Sequence, residues 1–305
     1  MKPLPGVLVE LSVFTRSEAL AAGLEPSGLR RRSIVCIGKS VHANADADPT
    51  SVQLASTVAR GLLHDAWVSH TTAALVHKLW LPSGLDVTIP HVSRPRRAGR
   101  PRARGVKGHA ANVTDDEIML VDGVRTSTPA RVWLELANML SLDDLIILGD
   151  HLVRYPRPRF EGRSNPHATI ADLGTLLERH PRVPGTRRAR EALALIRVGA
   201  DSPMETKSRL ALVRAGLPEP ELQIMLDPND PYTASADLGY RKYRVAIQYD
   251  GGAHLTSEQQ LRDNRRDSAF SLAGWRCIKA NRHDAAQGFH SLIDHLRALL
   301  SDPAA

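Results

Sequence analysis

Cysteine and aromatic side chains are scarce in this chain, and no apolar run is long. The two cysteines, Cys36 and Cys277, are too few and too far apart for a disulfide framework or a thiolate-rich zinc site. Aromatic residues make up 4% of the chain. That argues against a single-strand nucleic-acid platform, which needs exposed rings for bases to stack on. No segment approaches the apolar length of a membrane span, and Met1-Lys-Pro-Leu-Pro-Gly6 lacks the apolar core of a signal peptide. A soluble, cytoplasmic protein is expected. A P-loop and a His-Glu-x-x-His motif are also missing.

Basic charge is what the chain has in excess. A formal net charge of +7 and a pI near 9.7 favour a polyanionic partner, nucleic acid before membrane. An arginine-rich composition inherited from a GC-rich genome is the bland alternative. With 305 residues and 42% hydrophobic content the chain can bury a full core and divide into two or three domains. The charge is densest where Arg94, Arg96, Arg97, Arg100, Arg102, Arg104 and Lys107 follow one another with no intervening acid and with interspersed Pro and Gly. Such a run repels itself and reads as a loop or arm. It either tracks phosphates, giving salt-dependent affinity without sequence information, or simply connects two strands.

Near the start, Thr15-Arg-Ser-Glu18 has the spacing of a capping box and opens a short helix ending at Gly23. Pro26-Ser27 then leads into a second short helix, Gly28 to Arg32, with Arg30, Arg31 and Arg32 on its exposed face. Helix, tight turn and basic helix form the skeleton of a helix-turn-helix, although a purely structural helical hairpin has the same outline. The stretch resembles the winged-helix domains of AbiEi-type antitoxins. Amphipathic helices are expected from Ser51 to His64 and from Ser69 to about Lys78. His70 and His77, two turns apart, are too distant to share a metal and read as packing or surface residues. Leu85–Ile89 reads as a strand ended by Pro90. Asp122-Gly123 reads as the turn of a hairpin spanning 118–126. Thr128-Pro129 then starts the first of several helices that continue to Arg197, interrupted by an Arg- and Pro-rich loop from Arg154 to Pro166.

The candidate site lies in a hairpin between Ser235 and Asp250. In its second strand Val245, Ile247 and Tyr249 alternate with Ala246, Gln248 and Asp250. In its first, Ser235, Asp237 and Gly239 share a face. A two-residue turn at Arg241-Lys242 would set Asp237 opposite Ala246 and make Gln248 its diagonal neighbour, within about 8 Å. Oxygen ligands at that separation suit a hard divalent ion. A carboxylate inside a small, apolar strand needs a partner, either a metal or a neighbouring Arg. Asp250 precedes Gly251-Gly252 and reads equally as a ligand or a turn residue. Ser202-Pro203 starts a helix whose first turn holds Glu205, three residues after Ser202, the position from which a Glu can alternatively serve the cap.

Ser202-Pro-Met-Glu205, Arg214-Ala-Gly-Leu-Pro218, Gln223, Asp237, Gln248-Tyr-Asp-Gly251, His254, Arg262-Asp263, Arg265-Arg266 and Ala273-Gly-Trp275 occur in that order over roughly the last hundred residues. As a set they resemble the very-short-patch-repair-like endonucleases, a branch of the restriction-endonuclease-like superfamily with the PD-(D/E)XK motif. Gln248 stands where that branch usually carries Glu. Asp250 replaces the Lys of the general motif, and the zinc-binding cysteines of the repair enzyme are missing.

The resemblance implies a metal-dependent endodeoxyribonuclease serving repair or defence. Asp237, Gln248 and Glu205 would hold magnesium or manganese. Asp250 would extend the face, His254 would move a proton or touch the phosphate, and Arg262 or Arg266 would meet charge on the phosphoryl group. The alternative is a non-catalytic DNA-binding regulator, antitoxin-like, with a decayed nuclease domain. DNA is the expected partner, with monomer and homodimer both open. The fold expected is α/β, or α+β overall: a helix-turn-helix-like, mainly helical region over 1–90, a basic loop and helical region over 91–200, and a nuclease-like mixed sheet flanked by helices over 201–305.

Overall fold

The computed structural model describes residues 6–38, 40–157, 161–230, 233–250 and 257–301, with the side chains of 7, 9, 10, 257–260 and 262 outside that description. The fold is α+β, with three sheets among the described residues. The chain forms two compact units, residues 1–148 with 167–194, and residues 149–166 with 195–305.

The first unit starts with α1 (Gly6–Leu11), β1 (Val13–Thr15) and α2 (Arg16–Ala21), followed by β2 (Ile34–Gly38) and β3 (Val41–Asn44). These strands make a sheet of order β1-β3-β2 over a small core of Leu8, Phe14, Ala19, Leu24 and Ile34. The capping box at Thr15 and Glu18 forms as expected. The expected second helix is only a 3₁₀ turn, Pro26–Arg30. Gly28 lies so close to Leu24 that an added Cβ would stand 2.7 Å from Leu24 Cδ1, so this segment is pressed onto the core as a tight turn. Arg30 and Arg32 are exposed and Arg31 is half-buried.

The rest of this unit contains more strand than the pattern of the sequence suggests. The helices α3 (Ser51–Gly61) and α4 (His70–Val76) flank β4 (Trp67–Val68). Then come β5 (His91–Pro95), β6 (Lys107–Ala111), β7 (Ile118–Val121) and β8 (Val124–Ser127). Their sheet has the order β6-β5-β4-β8-β7. Leu85–Ile89 is not a strand: Asp86 folds back on Thr88, accepting from its N–H at 2.9 Å, and the strand begins after Pro90 instead. Arg94 is likewise not in a loop; it lies in β5, with Nε and Nη2 2.6 and 3.0 Å from the Asp65 carboxylate. The hairpin at Asp122-Gly123 forms, both residues having positive φ (47° and 76°) as a tight primed turn requires. Next come α5 (Pro129–Leu136), α6 (Leu142–Val153), α7 (Ile170–Arg179) and α8 (Thr186–Leu195).

The second unit is built on α9 (Pro203–Arg214), β9 (Glu221–Met225), β10 (Ser235–Tyr240), β11 (Val245–Asp250), α10 (Ser257–Leu272), β12 (Arg276–Asn281), α11 (Arg282–Ala286) and α12 (His290–Ser301). The sheet order is β12-β11-β10-β9, with β11 and β12 parallel across the helical crossover and the other pairs antiparallel. Leu238, Tyr240, Val245 and Ile247 form one core with Leu212, Ile278 and Leu296; Ile224, Ala236, Ala246 and Phe270 form another.

The hairpin register differs from the expected one by two residues. The connection is a 3₁₀ turn, Arg241–Tyr243, closed by Arg244 in the left-handed conformation (φ 50°), and it pairs Tyr240 with Val245. Gly239 leaves no room for a side chain, because a Cβ would lie 2.6 Å from Val245 O and 2.8 Å from Ile224 Cγ2. Gly239→Ala is expected to cost about 1–3 kcal/mol through this overpacking, read as a lower urea midpoint at unchanged slope.

Candidate functional site

In the second unit, the sequence-derived candidates gather where β10 parts from its neighbours. Leu222 and Leu238 pack on one core, whereas Ile224 and Ala236, two residues further along, pack on the other. Both strands therefore turn over between these pairs, at Gln223 and Asp237. Gln223 has φ 48°, a left-handed conformation that costs a non-glycine residue free energy, and the β9–β10 ladder omits the Gln223–Asp237 pair. The β10–β11 ladder stops at Leu238 and Ile247, so its next position sets Asp237 beside Gln248 rather than Ala246. Asp237 Oδ2 accepts the N–H of Tyr249 at 2.8 Å, taking the place of a backbone carbonyl. Gln248, 4% exposed, donates from Nε2 to Ser235 O at 3.3 Å. That orientation leaves its carboxamide oxygen as the group available to a cation.

Ser202 caps α9 by accepting the Glu205 N–H at 3.2 Å. The Glu205 carboxylate does not close a capping box on Ser202. Its Oε2 instead accepts from Asp201 N at 2.9 Å and Gln223 Nε2 at 3.3 Å. Glu205 is thereby linked to the kinked position of β9. Burial, and then the charge of Asp237, push the Glu205 carboxyl up to about 7. Asp237 is also raised, by burial first; the Tyr249 N–H and Arg266 work against that shift, and Asp201 adds to it. A buried carboxyl and the half-buried one whose charge helps to raise it form a site that a cation would relieve.

Asp250 is exposed at the end of β11. Arg266 pairs with Asp263 at 3.1 Å, within its own helix. His254 and the side chain of Arg262 lie outside the described residues. Sequence reasoning missed Lys279, which pairs in register with Gln248 across β11–β12 and holds Asp267 at 2.6 Å. It also assigned no role to Gln223, whose backbone conformation carries no local signature, or to Asp201, which is ion-paired with Arg157.

The basic run 94–107 is split between elements. Arg96 and Arg97 lie on a 3₁₀ turn, Arg100, Arg102 and Arg104 are exposed, and Lys107 opens β6. Arg96, Arg100 and Lys107 border a cavity of about 690 Å³ in the first unit. The same cavity exposes His70 and His109. His70, expected to be a packing or surface residue, instead meets His91 and His109. Burial is the main force holding all three rings below the ordinary imidazole range, His91 at about 4 and His109 at about 3. His77 stands apart, its Nε2 2.7 Å from Ser127 O.

No family model and no solved structure matches the chain. Two uncharacterized proteins from two strains of Mycobacterium tuberculosis are each 30% identical to it over 159 residues, which is 52% of this chain and 55% of theirs. The chain thus spans about half the length of the curated relatives it matches.

Proposed function

We propose that this chain is a divalent-metal-dependent endodeoxyribonuclease whose reaction centre is formed by Asp237, Glu205 and Gln248. The observation that carries this reading is the buried Glu205 carboxyl, raised by its own burial and then by the charge of the half-buried Asp237, with both side chains held by backbone N–H groups. Magnesium or manganese bound there would polarise a phosphoryl oxygen and acidify a coordinated water. Asp237 is held by the Tyr249 N–H and Glu205 by the Asp201 N–H, so both oxygens are oriented before a metal arrives. Lys279 and Arg266 supply positive charge on neighbouring elements, and Asp250 borders the strand end. Arg30, Arg32 and the exposed arginines between residues 96 and 104 would neutralise DNA phosphates.

A decayed, non-catalytic DNA-binding regulator is the second reading, favoured by the uncharged Gln248 at a ligand position. Incubation with supercoiled plasmid and magnesium or manganese separates the two. The wild-type chain is expected to nick the plasmid, and Asp237→Ala to lose about 100-fold or more of that rate, since even removal of an outer-shell partner commonly costs 10–100-fold. Equal nicking by the two proteins, or by neither, would exclude the nuclease.

A further inference from the structure

The three histidines of the first unit come from separate elements: His70 from the start of α4, His91 from the start of β5 and His109 from β6. One ring nitrogen of each lies within 4.8 Å of the other two, and His109 Nε2 is 3.1 Å from His91 Nδ1. Two nitrogens held at about 2.0–2.1 Å on a tetrahedral ion stand about 3.3 Å apart, so this pair is already near ligand spacing. We infer that His70, His91 and His109 form a binding site for a zinc-type divalent transition-metal ion, whose open coordination position faces the adjoining cationic cavity and takes an oxyanion such as phosphate.

The surroundings are built for this role in three respects. His70 has φ 53°, a left-handed conformation unfavourable for a side chain of this size, and its N–H is fixed by Glu135 Oε2 at 2.9 Å. Its Nδ1 lies 3.0 Å from Ser69 Oγ and 3.7 Å from Glu135 Oε2, while Ser93 Oγ donates to Ser69 Oγ at 2.7 Å. An imidazole engaged at Nδ1 by an outer shell keeps its lone pair on Nε2 for a metal. The donor set is also all nitrogen, which suits zinc, nickel or copper better than magnesium.

An imidazole stack without a metal is the rival account. The rings of His70 and His109 are 3.7 Å apart and within 20° of parallel. One ion cannot lie in two parallel ring planes, so loading must turn at least one of the rings. The cavity wall matters as well. Arg96, Arg100, Lys107, Arg131, Arg179 and Arg182 face a single lining carboxylate, Glu135. These cations oppose a bare dication and attract an anion, so metal and phosphate should each strengthen the binding of the other.

The test uses the full chain, titrated with zinc by calorimetry and with cobalt by visible absorption, with and without inorganic phosphate. Repeating both in Asp237→Ala removes any contribution from the carboxylate centre. One ion per chain is expected, with a tetrahedral cobalt band and an affinity that phosphate raises several-fold. His91→Ala and His109→Ala should each lose about 100-fold, while His64→Ala, at an exposed position, should retain binding. X-ray absorption of the zinc-loaded wild-type protein should show imidazole nitrogens at about 2.0–2.1 Å, and this readout stands even if a variant fails to fold. Absence of a bound ion, an all-oxygen shell, affinity unchanged in folded His variants, or indifference to phosphate would overturn the inference.

Discussion

Replacing Arg131 by Met is expected to lower the stability of the protein by about 3–5 kcal/mol, the usual cost of leaving buried charge unpaired. Arg131 is 2% exposed and lies between two carboxylates that are themselves buried, Glu117 at 2.8 Å and Glu135 at 3.2 Å. Glu135 also accepts from Ser127 Oγ, and Glu117 contacts His180 Nε2 at 2.6 Å. Removing the guanidinium strands both acids away from water. The penalty comes from the orphaned carboxylates rather than from any large net benefit of the ion triad, because buried pairs roughly offset their own desolvation. The variant Arg131→Met, Glu117→Gln, Glu135→Gln should therefore regain most of the loss. Urea denaturation of the single and triple variants gives the comparison; a triple variant as unstable as the single one would contradict this account.

The second large effect has the opposite sign. With its carboxyl raised from the ordinary 4.5 to about 7, Glu205 carries a proton in the folded state that it releases on unfolding near neutral pH. The folded state bears no penalty below about pH 4.5. It loses stability as pH rises through 7, by about 3 kcal/mol once ionisation is complete. Glu205→Gln keeps an acceptor for the Asp201 N–H and removes the charge. It should therefore stabilise the metal-free protein by up to that amount at pH 8 and change it little at pH 5. Magnesium should narrow the difference by raising the melting temperature of the wild type at pH 8 without affecting the variant. A variant that is no more stable than wild type at pH 8 would remove the basis for a strained acidic pair.

The second unit could be read largely from the alternation of β11 and from the caps and glycines around it. Val245 and Ile247 enter one core and Ala246 the other, as their spacing requires. The two-residue turn that the spacing predicts does not form, because Arg244 adopts a left-handed conformation that Arg seldom takes and the connection is two residues longer. An even change in length leaves inward and outward side chains where they were. The reversal of β9 and β10 at Gln223 and Asp237 has no sequence signature for a related reason: a single non-glycine residue with positive φ is set by its surroundings and leaves no mark in composition. The first unit was harder to read. Its strands β4, β5 and β6 are short, and β5 and β6 carry histidine, serine, arginine and glycine in place of an alternating apolar pattern. The convergence of His70, His91 and His109 follows from strand order and parallel pairing between β5 and β6, which spacing along the chain does not encode.

Residues 149–166 belong to the second unit although 167–194 return to the first. Within that early excursion Asp150 reaches Arg209 at 2.9 Å, both side chains 1% exposed, and accepts from Thr206 Oγ1 and Arg197 N as well. A recombination joint at residue 200, where the Gly199-Ala-Asp-Ser-Pro203 stretch looks severable, would carry away Arg209 together with its exposed partner Glu219 and leave the fully buried counterion behind. The two halves of the gene are in that sense tethered: neither can be swapped for a foreign segment unless the graft also replaces a carboxylate encoded fifty codons upstream.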